Sequence, residues 1–332
     1  MTEDYTIPSS GGAWLALDTS TSSMTVAVIE GNRLLGERNT KAERNHSMYL
    51  LPTIHELLGE LKLRPADLSG FAVGRGPGSY TGVRIGITVA KTMAWALDQP
   101  VIGVSSLEAM ALGAADSLAQ AHGKHTHRWI VPLMDARRGQ VYTALFASAA
   151  DGWTRIREDG IRLMDVWVEE LAKAAGPEAR AAEAETGAAP NADATANAEA
   201  VAEAEAEAAP NAEPALSPTA AANAGSAGAP MKPEADRPHE IWFVGEVAAF
   251  AEAIDRMAEL WDGTSGAYPH DIHACDVGRL ALRLSAEGVK EDVHRLVPNY
   301  TQLAEAEAKL LAKNSVKPPA GAAGKRGGEN RP

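Results

Sequence analysis

Cysteine, aromatic residues and long apolar runs are scarce in this 332-residue sequence, and each shortage excludes a class of protein. The single cysteine, Cys275, cannot form a disulfide framework within the chain or a zinc site built from several thiolates. No run of 18 uncharged apolar residues is present, so no membrane-spanning helix is predicted. The net charge of −13 does not indicate a self-sufficient nucleic-acid binder, which is usually strongly basic. We therefore expect a cytoplasmic protein that works in a reducing compartment.

Much of the negative charge lies in one alanine-rich segment. Residues 177–230 contain 24 alanines, nine acidic residues, one arginine and no aromatic residue, and they contribute eight of the thirteen net negative charges. This composition buries too little apolar area to offset the entropy lost on ordering the chain. We predict a disordered insertion over 177–238, with a specific acidic interaction arm as the alternative. Composition also predicts a disordered leader over 1–12 and a disordered tail over 313–332.

Hydrophobic periodicity divides the remaining sequence into two halves with a similar order of elements. In the first half it predicts strands over 13–18, 24–30, 33–39, 70–73 and 101–104, with helices over 46–62 and 81–97. In the second half it predicts a helix over 107–119, strands over 129–135, 140–147, 155–163 and 241–244, and helices over 165–174, 247–260 and 277–287. The doubled pattern favours two α/β lobes, 13–105 and 106–312, with the insertion in the second.

Two local signals fix helix starts within this pattern. Pro52 is tolerated best in the first turn of a helix, which predicts a start near Tyr49. Asp276 precedes an apolar periodic stretch and is a plausible N-cap for the last helix.

A glycine-rich loop at 74–80 leads into the helix predicted over 81–97. Such a loop allows backbone amides to approach an anion, although many glycine-rich loops are only tight turns. The helix carries a stripe of small residues, Gly82, Gly86, Ala90 and Ala94, on one face. This stripe allows close approach by another backbone, either within the lobe or from a second molecule, and the pattern alone does not decide between them.

Four motifs in order resemble the bacterial TsaB family, also called YeaZ. They are LALDTS at 15–20, GPGSYTGVRIG at 76–86, PLMDARRGQVY at 132–142 and PNY at 298–300. The resemblance covers about 13–176 and 239–312. It implies a duplicated actin-like ATPase fold of the ASKHA, RNase H-like type, which agrees with the doubled pattern. It also marks the loop Gly76, Pro77, Gly78, Ser79, Tyr80 and Thr81 as a family motif.

The resemblance implies the role of a non-catalytic subunit in tRNA modification. Family members pair with the TsaD transferase. With the ATPase TsaE, they support threonylcarbamoylation of adenosine 37, just 3′ of the anticodon, in tRNAs that read codons beginning with A. The resemblance implies no cofactor for this chain, since ATP and a metal ion belong to the partner subunits. Contact with tRNA is expected only through the complex.

In the family, the first-lobe helices form the pairing surface, and the same surface mediates homodimerisation. Carried over to the helices at 46–62 and 81–97, this implies an interface at His46, Leu50, Ile54, Leu58, Gly82, Val83, Gly86, Ile87, Ala90 and Ala94.

An ATP-using enzyme of the actin-like superfamily is the main alternative. In such enzymes, acidic residues and hydroxyls in the first turn of each lobe approach phosphates and a magnesium ion. Asp18, Ser20, Thr21 and Asp135 fall at those places, but where the adenosine side needs a glycine pair this chain has only Gly245 followed by an acidic residue. We therefore predict a degenerate nucleotide cleft, with a standalone ATP-dependent transferase as the alternative.

A metallopeptidase is a weaker alternative. His55-Glu56 begins like the zinc motif His-Glu-x-x-His, but Gly59 stands where the second histidine is required. Residue 50, four positions after His46, is leucine, so the metal-binding histidine pair of the sister transferase is also missing. Histidines at 122, 125 and 127, and the group 270–276, could bind a metal only adventitiously. No metal site is predicted.

Overall fold

The computed structural model describes residues 12–41, 45–123, 126–149, 152–176 and 237–301. The predicted leader (except Gly12), the insertion (except its last two residues) and the tail lie outside these described residues, as does the end of the second lobe after Thr301. Within the described ranges, no helix is both long and apolar enough to cross a membrane.

The first half forms a five-stranded mixed sheet covered by two helices. Its elements are β1 (Trp14–Asp18), β2 (Ser23–Glu30), β3 (Arg33–Lys41), α1 (His46–Glu60), β4 (Gly70–Gly74), α2 (Tyr80–Leu97) and β5 (Val101–Val104). Strands β1, β2 and β3 are antiparallel, while β4 and β5 continue the sheet parallel to β1. The apolar faces of α1 and α2 pack against one side of this sheet, because their buried residues recur at helical spacing.

The second half repeats this arrangement. Its elements are α3 (Ser106–His122), β6 (Arg128–Asp135), β7 (Gln140–Ala149), β8 (Gly152–Leu163), α4 (Met164–Ala175), β9 (Glu240–Gly245), α5 (Ala251–Leu260), β10 (Thr264–Pro269) and α6 (Ala274–Ala286). A single 3₁₀ turn, Val247–Phe250, precedes α5. Helices α4 and α5 bury their apolar faces in a core with this second sheet.

Both sheets have the same strand order. The first runs β3-β2-β1-β4-β5 and the second β8-β7-β6-β9-β10. In each, an antiparallel meander is followed by two strands parallel to the first strand of that meander. The sheets therefore confirm the duplicated, two-lobe, actin-like α/β fold. Strand β10 was not predicted, since its sequence TSGAYP has no aliphatic branched residue and its place is fixed by parallel pairing with β9.

One helix of the second half packs on the first sheet. Helix α6 packs on β1 and β2 of the first sheet, whereas α3 packs on β6 and β7 of the second. The contact of α6 is close, because a Cβ built on Gly278 would lie 2.4 Å from Cδ1 of Ile29. Apolar side chains of both sheets and both helices form one buried cluster. Helix α6 therefore covers the first sheet, although it lies in the sequence range predicted as the second lobe.

Two predicted helix starts are wrong. Helix α1 begins at His46, with backbone bonds from Met48 and Tyr49 to the Asn45 carbonyl, so Pro52 lies beyond the first turn. Pro52 has no N–H to bond to the carbonyl of Met48, four residues earlier. Both residues are exposed, so solvent can reach that carbonyl. His273, not Asp276, flanks the start of α6. Asp276 lies within the first helical turn and is buried.

Candidate functional site

Asp18 is a buried carboxylate at the carboxyl end of β1. Its Oδ1 accepts hydrogen bonds from the backbone N–H of Ser20 at 2.7 Å and from Ser20 Oγ at 2.6 Å. Its Oδ2 accepts a hydrogen bond from Ser106 Oγ, at the start of α3, at 2.5 Å. Burial raises the pKa of Asp18 and outweighs these hydrogen bonds, which act to lower it. Both carboxylate oxygens therefore have partners within the protein core.

The glycine-rich loop covers the turn that follows β1. The backbone N–H of Ser79 donates to the carbonyl oxygen of Ser20 at 2.7 Å. Gly78 has a φ of 152°, and a Cβ there would lie 2.3 Å from the same carbonyl oxygen, so only glycine allows this approach. Ser79 caps α2 by accepting from the Gly82 N–H at 3.3 Å. The motif residues Gly76 to Ser79 therefore form a packed contact with the turn, while Tyr80 and Thr81 begin α2 and are exposed.

Thr21 does not join the Asp18 cluster. Its hydroxyl donates to the Ser23 carbonyl at 3.2 Å within the turn. The predicted group of Asp18, Ser20 and Thr21 is thus brought together only in part, and Ser106 completes the cluster instead.

Asp135 occupies the matching turn of the second lobe. Its side chain is exposed, its backbone N–H donates to Glu246 Oε2 at 2.7 Å, and its Oδ1 accepts from the Arg137 N–H at 2.7 Å. Burial raises the pKa of Glu246, and the nearby carboxylates of Asp135 and Asp271 raise it further. Two acidic side chains thus lie next to Gly245, where the carboxylates would repel an anionic nucleotide.

In the group 270–276, His273 makes a structural contact, whereas His125 of the other histidine group lies outside the described residues. Nδ1 of His273 lies 3.0 Å from Glu37 Oε2, and this hydrogen bond raises the pKa of His273. Burial lowers the pKa of His270 to about 4 and raises that of the Cys275 thiol, which makes the thiol a poor nucleophile. Across the described part of the chain, no three histidine, cysteine, aspartate or glutamate side chains are grouped so that they could hold a metal ion.

The interface residues proposed from the sequence are not at the surface of this chain. Buried residues are His46, Leu50, Ile54, Leu58, Gly82, Val83, Gly86, Ile87, Ala90 and Ala94. The small-residue stripe begins against the chain's own β1–β2 turn, because Cβ atoms on Gly82 and Gly86 would lie 2.1 and 2.4 Å from oxygens of Thr19. These residues are therefore part of the first-lobe core of this chain, and the interface assigned to them stays a prediction.

The exposed side of α1 and α2 is unusually apolar. Five of the twelve large hydrophobic side chains that the described chain exposes lie on these two helices: Met48, Tyr49, Leu51, Tyr80 and Trp95. A groove of about 410 Å³ runs between the helices, lined by Ser47, Leu50, Leu51, Tyr80, Thr81, Arg84, Ile85, Thr88 and Val89. We call this exposed side, including the groove, the α1–α2 face. On α2 the sequence contained a signal for this face, since Tyr80 and Trp95 lie opposite the small-residue stripe at helical spacing.

Comparison with known proteins places this architecture in a family. The family model described as TsaD: tRNA N6-adenosine threonylcarbamoyltransferase matches residues 38–317. The chain belongs to the TsaD family.

Among its relatives are proteins named tRNA threonylcarbamoyladenosine biosynthesis protein TsaB. The one from Bacillus subtilis is 41% identical over 157 residues, which cover 47% of this chain and 65% of the relative. The one from Haemophilus influenzae is 42% identical over 131 residues, which cover 39% of this chain and 51% of the relative. The chain thus spans about one half to two thirds of the length of these relatives, and their names confirm the resemblance to TsaB seen in the sequence motifs.

A solved structure has the same fold. YeaZ from Pseudomonas aeruginosa superposes with a TM-score of 0.53 at 22% sequence identity, covering 87% of this chain and 99% of that chain. At this identity the likeness establishes the fold of the TsaD-family chain and no more.

Proposed function

We propose that this chain is a non-catalytic subunit in the threonylcarbamoylation of adenosine 37 in tRNAs that read codons beginning with A. It acts in the cytoplasm by pairing with a TsaD-like transferase, and a TsaE-like ATPase completes the complex. The relatives named TsaB support the pathway. The α1–α2 face is the observation that carries the role, because large exposed apolar patches mark protein interaction sites.

The cleft supports the absence of catalysis by this chain alone. A phosphate-bound magnesium ion requires open carboxylate or hydroxyl oxygens. Asp18 instead directs both oxygens to Ser20 and Ser106, and Glu246 adds negative charge on the nucleotide side. ATP and a metal ion are therefore assigned to the partner subunits, and tRNA is reached through the complex.

Reconstitution tests the class of function. The purified chain alone is expected neither to hydrolyse ATP nor to modify tRNA, whereas adding it to the TsaD-like and TsaE-like proteins of the same organism should permit tRNA modification. ATP turnover by the isolated chain that is lost in Asp18→Asn would instead support a standalone ATP-dependent enzyme, provided that circular dichroism shows the variant to be folded.

A pair of matched substitutions tests the pairing surface. Leu51 is 54% exposed on α1, and Leu260 is 48% exposed at the end of α5 in the other lobe. Leu51→Asp places a charge in the apolar face and is expected to abolish co-purification with the transferase, while Leu260→Asp should leave it unchanged. The same surface is proposed for a homodimer, so Leu51→Asp should also lower the sedimentation coefficient of any self-associated form. Equal capture of both variants would place the interface elsewhere.

A further inference from the structure

Arg84 is fixed in place at one end of the α1–α2 groove. Its guanidinium carbon lies 3.9 Å from the ring centre of Tyr80 and 5.6 Å from that of Tyr300. Its Nε donates a hydrogen bond to the Tyr300 hydroxyl at 2.8 Å. The two ring centres lie 5.7 Å apart, and both rings attract the cation beside them through cation–π interaction.

The charged end of Arg84 has no acidic partner within the part of the chain that the structure describes. Its Nε is used by Tyr300, while none of the described residues accepts a hydrogen bond from the two terminal nitrogens. Other basic side chains in this region do have partners. Lys91 donates to the carbonyls of His294 and Leu296, and Arg75 lies 3.5 Å from Glu291. Among the described residues, Arg84 thus presents an unpaired planar fork of N–H donors beside an apolar groove.

We propose that Arg84 is the polar anchor of the pairing surface and binds a carboxylate at one end of an apolar helix of the transferase partner. This inference rests on the function proposed above and specifies the chemistry of that contact. A guanidinium fork matches the two oxygens of a carboxylate, and such charge-assisted pairs are strong and directional. The apolar groove receives the uncharged side of the partner helix, and the anchor fixes its register.

The surroundings favour a protein carboxylate over an RNA phosphate. A phosphate backbone needs several cations spaced along a surface, since its affinity comes from multiple charge contacts. Here the groove beside Arg84 is lined by aliphatic and hydroxyl side chains, among them Leu51, Ile85, Thr88 and Val89. One arginine at the end of an apolar groove instead suits an interface hot spot, where arginine and tyrosine are enriched.

The chain segment after α6 prepares this anchor. The Asn299 backbone N–H donates to the Arg75 carbonyl at 2.7 Å, and its side-chain amide donates to Asp159 Oδ2 at 3.0 Å. Asn299 therefore ties the segment to the glycine-rich loop of one lobe and to β8 of the other. The neighbouring Tyr300 is thereby placed against Arg84. An arginine held in this way loses less side-chain entropy when it binds.

Titration of variants against the transferase tests the anchor. The TsaD-like transferase of the same organism is titrated with the full-length chain and its variants by calorimetry at 50 and 500 mM salt. Arg84→Gln is expected to weaken binding at least tenfold at low salt and to reduce the loss of affinity on adding salt. Arg84→Lys keeps the charge but loses the fork, so its affinity for the transferase should lie between those of the wild type and Arg84→Gln. Tyr300→Phe keeps the ring and removes the hydroxyl, so it should weaken binding less than Arg84→Gln. Arg138→Gln, at an exposed arginine of the β6–β7 turn, is the matched control and should bind as the wild type does.

Each outcome of this titration decides a different question. Arg84→Gln that binds like the wild type, while Leu51→Asp does not bind, overturns the anchor and leaves the proposed function intact. Normal binding by both variants overturns the pairing surface itself. Two further results would also overturn the anchor as proposed: loss of tRNA retention by Arg84→Gln with transferase binding unchanged, which identifies a phosphate ligand, or loss of self-association alone, which identifies a second copy as the partner. Thermal unfolding of each variant must match that of the wild type.

Discussion

At the end of β1, one buried carboxylate joins three parts of the chain. Asp18 accepts hydrogen bonds from Ser20 in the following turn and from Ser106 at the start of α3. The Ser106 hydroxyl in turn accepts the Gly76 N–H at 3.1 Å, which extends the network to the glycine-rich loop. Because α3 packs on the second sheet, this network links the first-lobe turn to the other lobe. Asp18 therefore stabilises the fold here, because both of its carboxylate oxygens accept hydrogen bonds from other parts of the chain.

Asp276 gives the stability of the protein a pH dependence of known sign. Burial raises its pKa from 3.8 to about 6, although Arg279, whose NH1 lies 3.0 Å from Oδ1, opposes this. A raised pKa means that the folded state binds the proton more tightly than the unfolded state does. The resulting stability is present below pH 4 and is lost as the pH rises through about 6.

Asp276→Asn removes this titration. Between pH 5 and pH 7.5, the wild type is expected to lose about 1 kcal/mol of unfolding free energy relative to the variant. Urea unfolding of both proteins at the two pH values measures the difference directly. Parallel changes in the two proteins would mean that Asp276 is not the titrating group.

Single residues also show where reasoning from sequence stops. Periodicity correctly grouped Gly82, Gly86, Ala90 and Ala94 on one face of a helix, but it cannot say what covers that face. The structure fills the first part of it with Thr19, 63 residues away from Gly82. Ser106 and Tyr300 were missed as partners of Asp18 and Arg84 for the same reason, since each contact depends on the fold bringing distant segments together.

Helices α1 and α2 differ in how much they tolerate an added methyl group. In α2, a Cβ on Gly86 would lie 2.4 Å from Thr19 Oγ1 and 3.2 Å from Leu17 Cδ1, whereas in α1 nothing lies within 4 Å of a Cβ on Gly59. Gly86→Ala is therefore expected to destabilise the fold by about 1–3 kcal/mol through overpacking. Gly59→Ala is the matched control and should stabilise it by about 0.5–1 kcal/mol, because alanine favours helix.

Thermal unfolding followed by circular dichroism separates the two substitutions. A Gly86→Ala variant as stable as the wild type would show that α2 can move away from the β1–β2 turn. Loss of transferase binding by a fully stable Gly86→Ala protein would instead support the prediction that the small-residue stripe is part of the interface.

At the level of elements, hydrophobic patterns were sufficient for the helices and for nine of the ten strands in the described residues. The helices bury one regular face, which leaves a period in the sequence, whereas strands such as β1 and β4 are buried throughout and are short apolar runs. Strand β10 has no such period, and Pro52 gave a misleading helix start because an exposed proline is tolerated further along the helix than the first turn. The doubled strand order followed from the order of elements, but the packing of α6 on the first sheet left no mark on the sequence.

At the scale of the whole molecule, the residues on the two sides of the predicted insertion, Gly176 and Arg237, lie close together. A Cβ on Gly176 would lie 3.0 Å from the guanidinium carbon of Arg237. Replacing residues 178–236 by a four-residue Gly-Ser linker is therefore expected to leave the fold and transferase binding unchanged. Stability should rise by up to about 2 kcal/mol, because a shorter loop costs less entropy to close.

Unfolding midpoints in urea and calorimetric titration against the transferase measure these two effects. A linker variant that is equally stable but binds the transferase more weakly would favour the alternative interpretation, that the segment is an acidic interaction arm.

The placement of α6 also determines when, during synthesis, the first lobe can complete its folding. One side of the first sheet, including Ala16 and Ile29, is covered by a helix that the ribosome makes about 170 residues after β5. At roughly 5–20 residues per second, that sheet waits about 10–35 s with an apolar side uncovered. Nascent chains stalled before residue 274 should therefore bind chaperones through the first lobe, and release should coincide with the emergence of α6. Helix α6 thus determines when the folding of the first lobe is completed in the cell.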